Sequence, residues 1–137
     1  MAEERTRCLM LLDADADERR LISAVAARAG WSVVGAADVE TAVALLQGPH
    51  GREVQAALLG SWNNDTSPGL VAALRQQRDT LPVIALSHGD SVAEAVEAMR
   101  AGATDFLVRP VAPERLTELI ADIIRGDYPD TPIDCGI

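Results

Sequence analysis

At 137 residues, 48% of them hydrophobic, the chain has enough apolar side chains for one buried core and too few for two comfortable ones. A formal net charge of −9 opposes phosphate backbones, so direct nucleic-acid binding by this chain is not expected. The two cysteines, Cys8 and Cys135, make neither a metal-ligand cluster nor a disulfide framework; with no run long enough for a membrane span or a signal-peptide core, the expectation is a cytoplasmic chain without a membrane partner.

The first element is a short apolar strand, Cys8 to Leu12, bounded as a strand buried on both faces should be, and ending at Asp13. Asp17 is expected to cap a helix whose apolar positions Leu21, Ile22, Val25 and Ala29 recur at helical spacing, with Gly30 as its stop. Trp31 to Ala36 reads as a second strand, and Asp38 as the cap of a helix to Leu46 that Gly48-Pro49 ends. After a connection over His50 to Glu53, the run from Val54 reads as a central strand ending at Ser61, with Trp62, Asn63 and Asp65 in the loop beyond. Ser67-Pro68 supplies a cap and a first-turn proline for a helix from Gly69 to Arg78. Leu81 to Leu86 is a fourth strand ending at Ser87. Ser91-Val-Ala-Glu94 is a capping box for a helix to Ala101, with Gly102 beyond it. Thr104 to Val108 is the fifth strand, ending at Arg109, and Ala112-Pro113-Glu114 opens a last helix with Leu116, Leu119, Ile120, Ile123 and Ile124 on one face.

Strand followed by helix five times, with short connections, predicts an α/β fold: a five-stranded parallel sheet, doubly wound by helices on both faces. Ligands of such sheets bind at the carboxyl ends of the strands, so Asp13, Ser61, Ser87 and Arg109 should converge. Residues 1–126 make the domain; 127–137, with two prolines and no periodicity, read as a tail or the start of a linker.

Three stretches together resemble a response-regulator receiver (CheY-like) domain of flavodoxin-like fold: Leu9-Met-Leu-Leu-Asp13, Leu81-Pro-Val-Ile-Ala-Leu-Ser87 and Ala98-Met-Arg-Ala-Gly-Ala-Thr-Asp-Phe-Leu-Val-Arg-Pro110. The wording is closest to receivers that precede sigma-54-type or FixJ-type transcription activators, which implies the regulatory module of a transcriptional response regulator as one setting. The resemblance implies a two-component phosphorylation switch, in which two adjacent acids and an acceptor aspartate hold Mg²⁺ and the phosphoryl group while a hydroxyl and a lysine sense it. On that pattern Asp13 is the first acid, but Ala14 stands for the second, Ser61 for the acceptor aspartate and Arg109 for the lysine; Ser87 keeps the hydroxyl, and His88 replaces a small residue. Of the matched positions only Asp13 and Arg109 are charged, with opposite signs, so Mg²⁺ binding is expected to be weak or absent and no cofactor is implied.

Several residues keep two readings. Arg109 either pairs bidentately with Asp13 or points to solvent. His88 either fills space above the site or is a plain loop residue. Asp15 stands one residue too late to replace Ala14 unless the loop shifts. Trp62 reads as a partly exposed loop aromatic beside the pocket or as a stacking residue, and Asn63 as its neighbour. The expected class is a degenerate or pseudo-receiver, not an enzyme, acting by phosphorylation-independent protein–protein interaction. The alternatives are a phosphorylatable Mg²⁺-dependent receiver with a remodelled acid cluster, and a non-covalent small-anion sensor. By resemblance the interaction face is the fourth helix, fifth strand and fifth helix, with Glu94, Glu97, Arg100, Asp105, Phe106, Glu114, Arg115 and Glu118 as candidates for a protein partner or self-association.

Overall fold

The sheet is built from strands β1 (Cys8–Leu12), β2 (Ser32–Ala36), β3 (Val54–Leu59), β4 (Val83–Ser87) and β5 (Asp105–Val108). Every pairing is parallel and the spatial order is β2-β1-β3-β4-β5. These are the elements of a computed structural model that describes residues 8–49, 51–60, 62–63, 65–87, 92–108 and 111–125. The connecting helices are α1 (Ala16–Arg28), α2 (Val39–Gln47), α3 (Ser67–Gln77), α4 (Val92–Arg100) and α5 (Pro113–Arg125).

The apolar runs are explained by cover on both faces. Alternate residues of β1 point to opposite sides: Met10 and Leu12 join Ala42 of α2, Val71 and Leu74 of α3 and Ala98 of α4. Leu9 and Leu11 join Ile22 and Ala26 of α1 with Leu116, Leu119 and Ile120 of α5. A strand covered on both sides has no solvent face, so the alternation of a half-exposed strand is absent from its sequence. Each fully buried Leu or Ile stabilises the fold by about 1.5–3 kcal/mol relative to exposure, before the opposing chain entropy.

The helix starts differ in detail from the expectation. Asp15, not Asp17, caps α1, its carboxylate accepting from the backbone N–H groups of Asp17 and Glu18 at 2.9 and 3.3 Å. Asp17 instead lies in the first helical turn and pairs with Arg20 at the surface. Asp38 caps α2 as expected, accepting from Thr41 N at 2.8 Å. That backbone bond, and the Thr41 side chain, hold the Asp38 pKa below its ordinary value. The cap's favourable contribution is therefore present above the usual carboxylate range and is lost as pH falls through the lowered value. At α3 the cap position is Thr66, with Ser67 inside the helix; proline in the first turn is as expected. Gly51 to Glu53, read as plain connection, form a short 3-10 turn. The Ser91 half of the expected capping box lies outside the described residues.

Arg75 of α3 and Arg78, the residue that caps its carboxyl end, close the amino edge of the sheet. The Arg75 guanidinium donates to the carbonyls of Asp79, Leu81 and Gly102 and to Thr104 Oγ1, at 2.7 to 3.1 Å. Thr104 Oγ1 also accepts from Val83 N at 3.0 Å, so one side chain joins α3 to both β4 and the turn before β5. Arg78 reaches the carbonyls of Gly51 and Val54. Burial lowers the pKa of both guanidinium groups, more than the nearby Asp79 raises that of Arg75. A planar fork serves several carbonyls at once where an ammonium does not. Arg75→Ala is therefore expected to lower unfolding stability by about 2 kcal/mol, with Arg75→Lys recovering less than half, read as a lower denaturant midpoint at constant slope.

Candidate functional site

Among the described residues, the buried polar side chains at the sheet, Asp13 and Ser87, both lie at its carboxyl edge. They are the last residues of two buried runs and are 6% and 0% exposed. The backbone ladder continues past the strands: Asp13 N donates to Ala36 O, Gly60 N to Leu12 O and Trp62 N to Leu86 O, at 2.9 to 3.0 Å. This brings the ends of β1, β2, β3 and β4 to one place; of the four residues expected to converge, Asp13 and Ser87 lie at this edge, and Ser61 and Arg109 are outside the described residues.

Asp13 is held tightly. Its Oδ1 accepts from Asp15 N at 3.0 Å, and its carbonyl accepts from Arg19 of α1 at 2.7 Å. Register places Leu12 beside Leu59, so the next residues along, Asp13 and Gly60, face each other. The carboxylate lies over the Gly60 Cα: a Cβ there would stand 2.0 Å from Asp13 Oδ2 and 2.9 Å from Asp13 Cβ. Only glycine permits this approach, and the acid thus fills a notch in β3. Ala14, the next residue, is exposed and has no metal-ligating atom in its side chain. Asp15 is engaged as the α1 cap.

Trp62 corrects an expectation. It is neither a partly exposed loop aromatic nor placed to stack on a ligand; at 6% exposure it belongs to the core beneath α3 and α4, with Val71, Ala85 and Ala98. Asn63 is a loop builder: its Oδ1 accepts from the N–H groups of Asp65 and Thr66, and its own N–H donates to Ser67 Oγ at 2.9 Å. Asp13, Ala14, Asp38, Glu40, Gly60 and Asn63, with the start of α3, line a cleft of about 360 Å³. Ser61, His88 and Arg109 lie outside the described residues, and so does the Arg109–Asp13 pairing.

Ser87 is bonded on the helix side. Its hydroxyl donates to Glu94 Oε1 of α4 at 2.9 Å. Glu94, a candidate for the outer interaction face, instead turns its carboxylate inward to Ser87 and is half-buried. The rest of that face divides. Glu97 and Arg100 are exposed on α4, 4.0 Å apart, and Arg115 is exposed on α5. Asp105 and Phe106 are half-buried on β5, with Phe106 packed on the α4 side of the sheet. Glu114 and Glu118 border a groove with Arg28 and Ala29 of α1, on the other side. Sequence reading missed the apolar part: Val92, Val96 and Met99 of α4 are 76%, 43% and 39% exposed, and Val108 of β5 42%. Their spacing of four and three residues was the available signal.

The Gly60 notch has a direct consequence for stability. Gly60→Ala is expected to destabilise the fold by about 1–3 kcal/mol through overpacking. The loss should shrink by more than half when Asp13→Ala is present too, a coupling that urea unfolding of the four-member cycle measures.

Comparisons with known proteins agree with this geometry. Residues 9–121 match the model of the response regulator receiver domain. The chain is 29% identical over 128 residues to the response regulator protein FleR of Pseudomonas aeruginosa, covering 92% of this chain and 26% of that protein. It is 26% identical over 117 residues to the probable transcriptional regulator ycf27 of Porphyridium aerugineum, covering 85% of this chain and 48% of the relative. It thus spans about half or less of the length of these curated relatives. In fold it is similar to the chemotaxis protein CheY4 of Vibrio cholerae, with TM-score 0.69 and 24% identity over 86% of this chain and 98% of that one. NtrX of Brucella abortus gives TM-score 0.73 and 23% identity over 88% of this chain and 27% of that one. With a family model matched over most of its length and the strand-end site of a doubly wound sheet, the chain belongs to the response regulator receiver domain family of two-component signalling.

Proposed function

We propose that this receiver domain signals without phosphorylation, by presenting a protein-binding surface on α4 and β5. The observation that carries the reading is the engagement of Asp13. The one acid retained in the metal position is packed on Gly60 and receives the Asp15 N–H, while its neighbour is Ala14. Mg²⁺ holds several oxygen ligands in a near-octahedral shell and is bound through at least one accessible carboxylate. Among the described residues no group of three or more His, Cys, Asp or Glu side chains is arranged to hold a metal. The donor set therefore does not fit the ion that the family's phosphoryl chemistry needs.

The residue after Gly60 supports the same reading. Ser61 occupies the sequence position of the acceptor, and a serine hydroxyl needs a base to become a nucleophile. A serine phosphate ester is also far more stable than an acyl phosphate, so a timed, self-erasing signal would be lost even if the ester formed. The surface that remains for output is the side of α4 and β5 carrying Val92, Val96, Met99 and Val108, flanked by Glu97 and Arg100. An exposed apolar patch with a charged rim suits a protein partner or a second copy of the domain. Relatives whose names describe transcriptional regulators make a role as the regulatory module of such a protein the natural setting.

The test is covalent labelling by a small acyl-phosphate donor in Mg²⁺. The natural chain and Ser61→Asp are both expected to stay unlabelled, because Ala14 still withholds a metal ligand. Ser61→Asp with Ala14→Asp is expected to take up label, more so with Arg109→Lys. Labelling of the natural chain, or of Ser61→Asp alone, overturns the reading.

A further inference from the structure

The sheet ends sideways in two outer strands, β5 and β2, and an outer strand carries backbone N–H and C=O groups that a further strand can pair. Which groups face outward follows from alternation along each strand. Leu86 O accepts from Trp62 N on the β3 side, so Ala85 and Ser87 turn to β5. With Ala85 beside Phe106, the ladder joins β4 to Asp105 and Leu107, and the Phe106 N–H is left facing out. There it donates to Asp105 Oδ1 at 2.7 Å, so a carboxylate already occupies this outward donor.

β2 has no such guard. Ala36 O accepts from Asp13 N, so Ser32, Val34 and Ala36 turn to β1, while Val33 and Gly35 turn their N–H and C=O groups outward. Among the described residues none bonds these outward groups. The strand Ser32-Val-Val-Gly-Ala36 also lacks the devices that blunt an outer strand: it has no charge, no proline and no register shift against β1. Ser32 and Gly35 are exposed and both valines half-buried.

We propose that β2 is a self-association surface, at which a second copy of the chain adds its own β2 antiparallel and the two sheets become one. The outward groups fit a twofold axis through Val34. Across it Val33 of one copy stands opposite Gly35 of the other; such a pair exchanges both N–H···O bonds, and the axis repeats it. Charge favours the same arrangement. The antiparallel axis sets the start of α2 in one copy beside the end of α1 in the other, so the exposed Asp38 and Glu40 meet the exposed Arg28. Between them residues 29–37 are uncharged, so two chains of net charge −9 meet here without opposed carboxylates. This surface lies on the side of the sheet away from β5, and it stands whether or not the domain signals through phosphorylation.

Sedimentation equilibrium of the whole chain from about 10 µM to about 1 mM, the range of a small interface, tests the proposal. The average mass is expected to rise from monomer towards dimer. Gly35→Pro removes an outward N–H that no bond within the chain uses, so it should keep the fold and weaken association at least about tenfold. Arg28→Glu should weaken it about fivefold, and Arg28→Glu with Glu40→Arg should recover most of the loss; this pair keeps the test open if Gly35→Pro fails to fold. Val34→Cys, in a Cys135→Ser background, should form a disulfide-linked dimer on mild oxidation, since residues facing across such an axis have Cα atoms about 4.5 Å apart. A monomer throughout the range overturns the proposal. So does a dimer that Gly35→Pro leaves unchanged and Val34→Cys does not link, which would put the contact on another face such as α4.

Discussion

A parallel strand covered by helices on both faces leaves no room for a polar side chain except at its ends, and the other features of this domain follow from that constraint. β1 and β4 are buried at every position, and their first polar side chains appear at Asp13 and Ser87 on the carboxyl edge. Polar groups buried there need partners, since an unpaired buried hydroxyl or carboxylate costs several kcal/mol in the order-of-magnitude sense. The partners come from the chain itself: Asp15 N–H for Asp13, Glu94 for Ser87. With Asp13 Oδ1 and the Ser87 hydroxyl bonded within the chain, fewer oxygens are left to meet a metal and a phosphoryl group.

The two edges of the sheet have different tasks. At the amino edge, Arg75 and Arg78 bind five backbone carbonyls and lock the end of α3 to its neighbours. At the carboxyl edge the same close fit is made by a single notch, the Asp13 carboxylate on the bare Cα of Gly60. Packing of that kind is intolerant of added volume, and it converts what would be a ligand-binding acid into part of the wall. Between the edges the alternate side chains divide into two core clusters, to which α2 and α4 each give a single fully buried alanine, Ala42 and Ala98.

Much of this was legible in the chain. Short apolar runs ending in Asp13 and Ser87, and helical periodicity with a cap at Asp38, identify five strand–helix units and place the site edge. What escaped is what depends on distance between segments. Nothing local marks Gly60 as the floor under Asp13, because the approach comes from register between β1 and β3. Trp62 follows a strand and precedes a polar stretch, a pattern that suggests half-exposure; its backbone N–H is bonded to Leu86 O and its ring packs in the core instead. Glu94 looked like the acid of a capping box, and its carboxylate meets a serine seven residues earlier. In α4 two small-versus-large faces are equally apolar in pattern, and periodicity does not say that Ala98 goes in while Val96 and Met99 stay out. Asp17 lies two residues past the cap position, which Asp15 takes by reaching the helix amides itself.

Trp62 is a natural reporter for the central claim, since its N–H is bonded to Leu86 O, one residue before Ser87, and its ring packs with α3 and α4. The decisive measurement is its emission in a Trp31→Phe background, titrated with Mg²⁺ and then with beryllofluoride, a phosphoryl mimic. The account expects no saturable change with either addition, because Asp13 is already engaged and Ala14 supplies no ligand. A saturable response that requires both would mean that a metal and a phosphoryl group assemble at this edge, and would contradict phosphorylation-independent signalling.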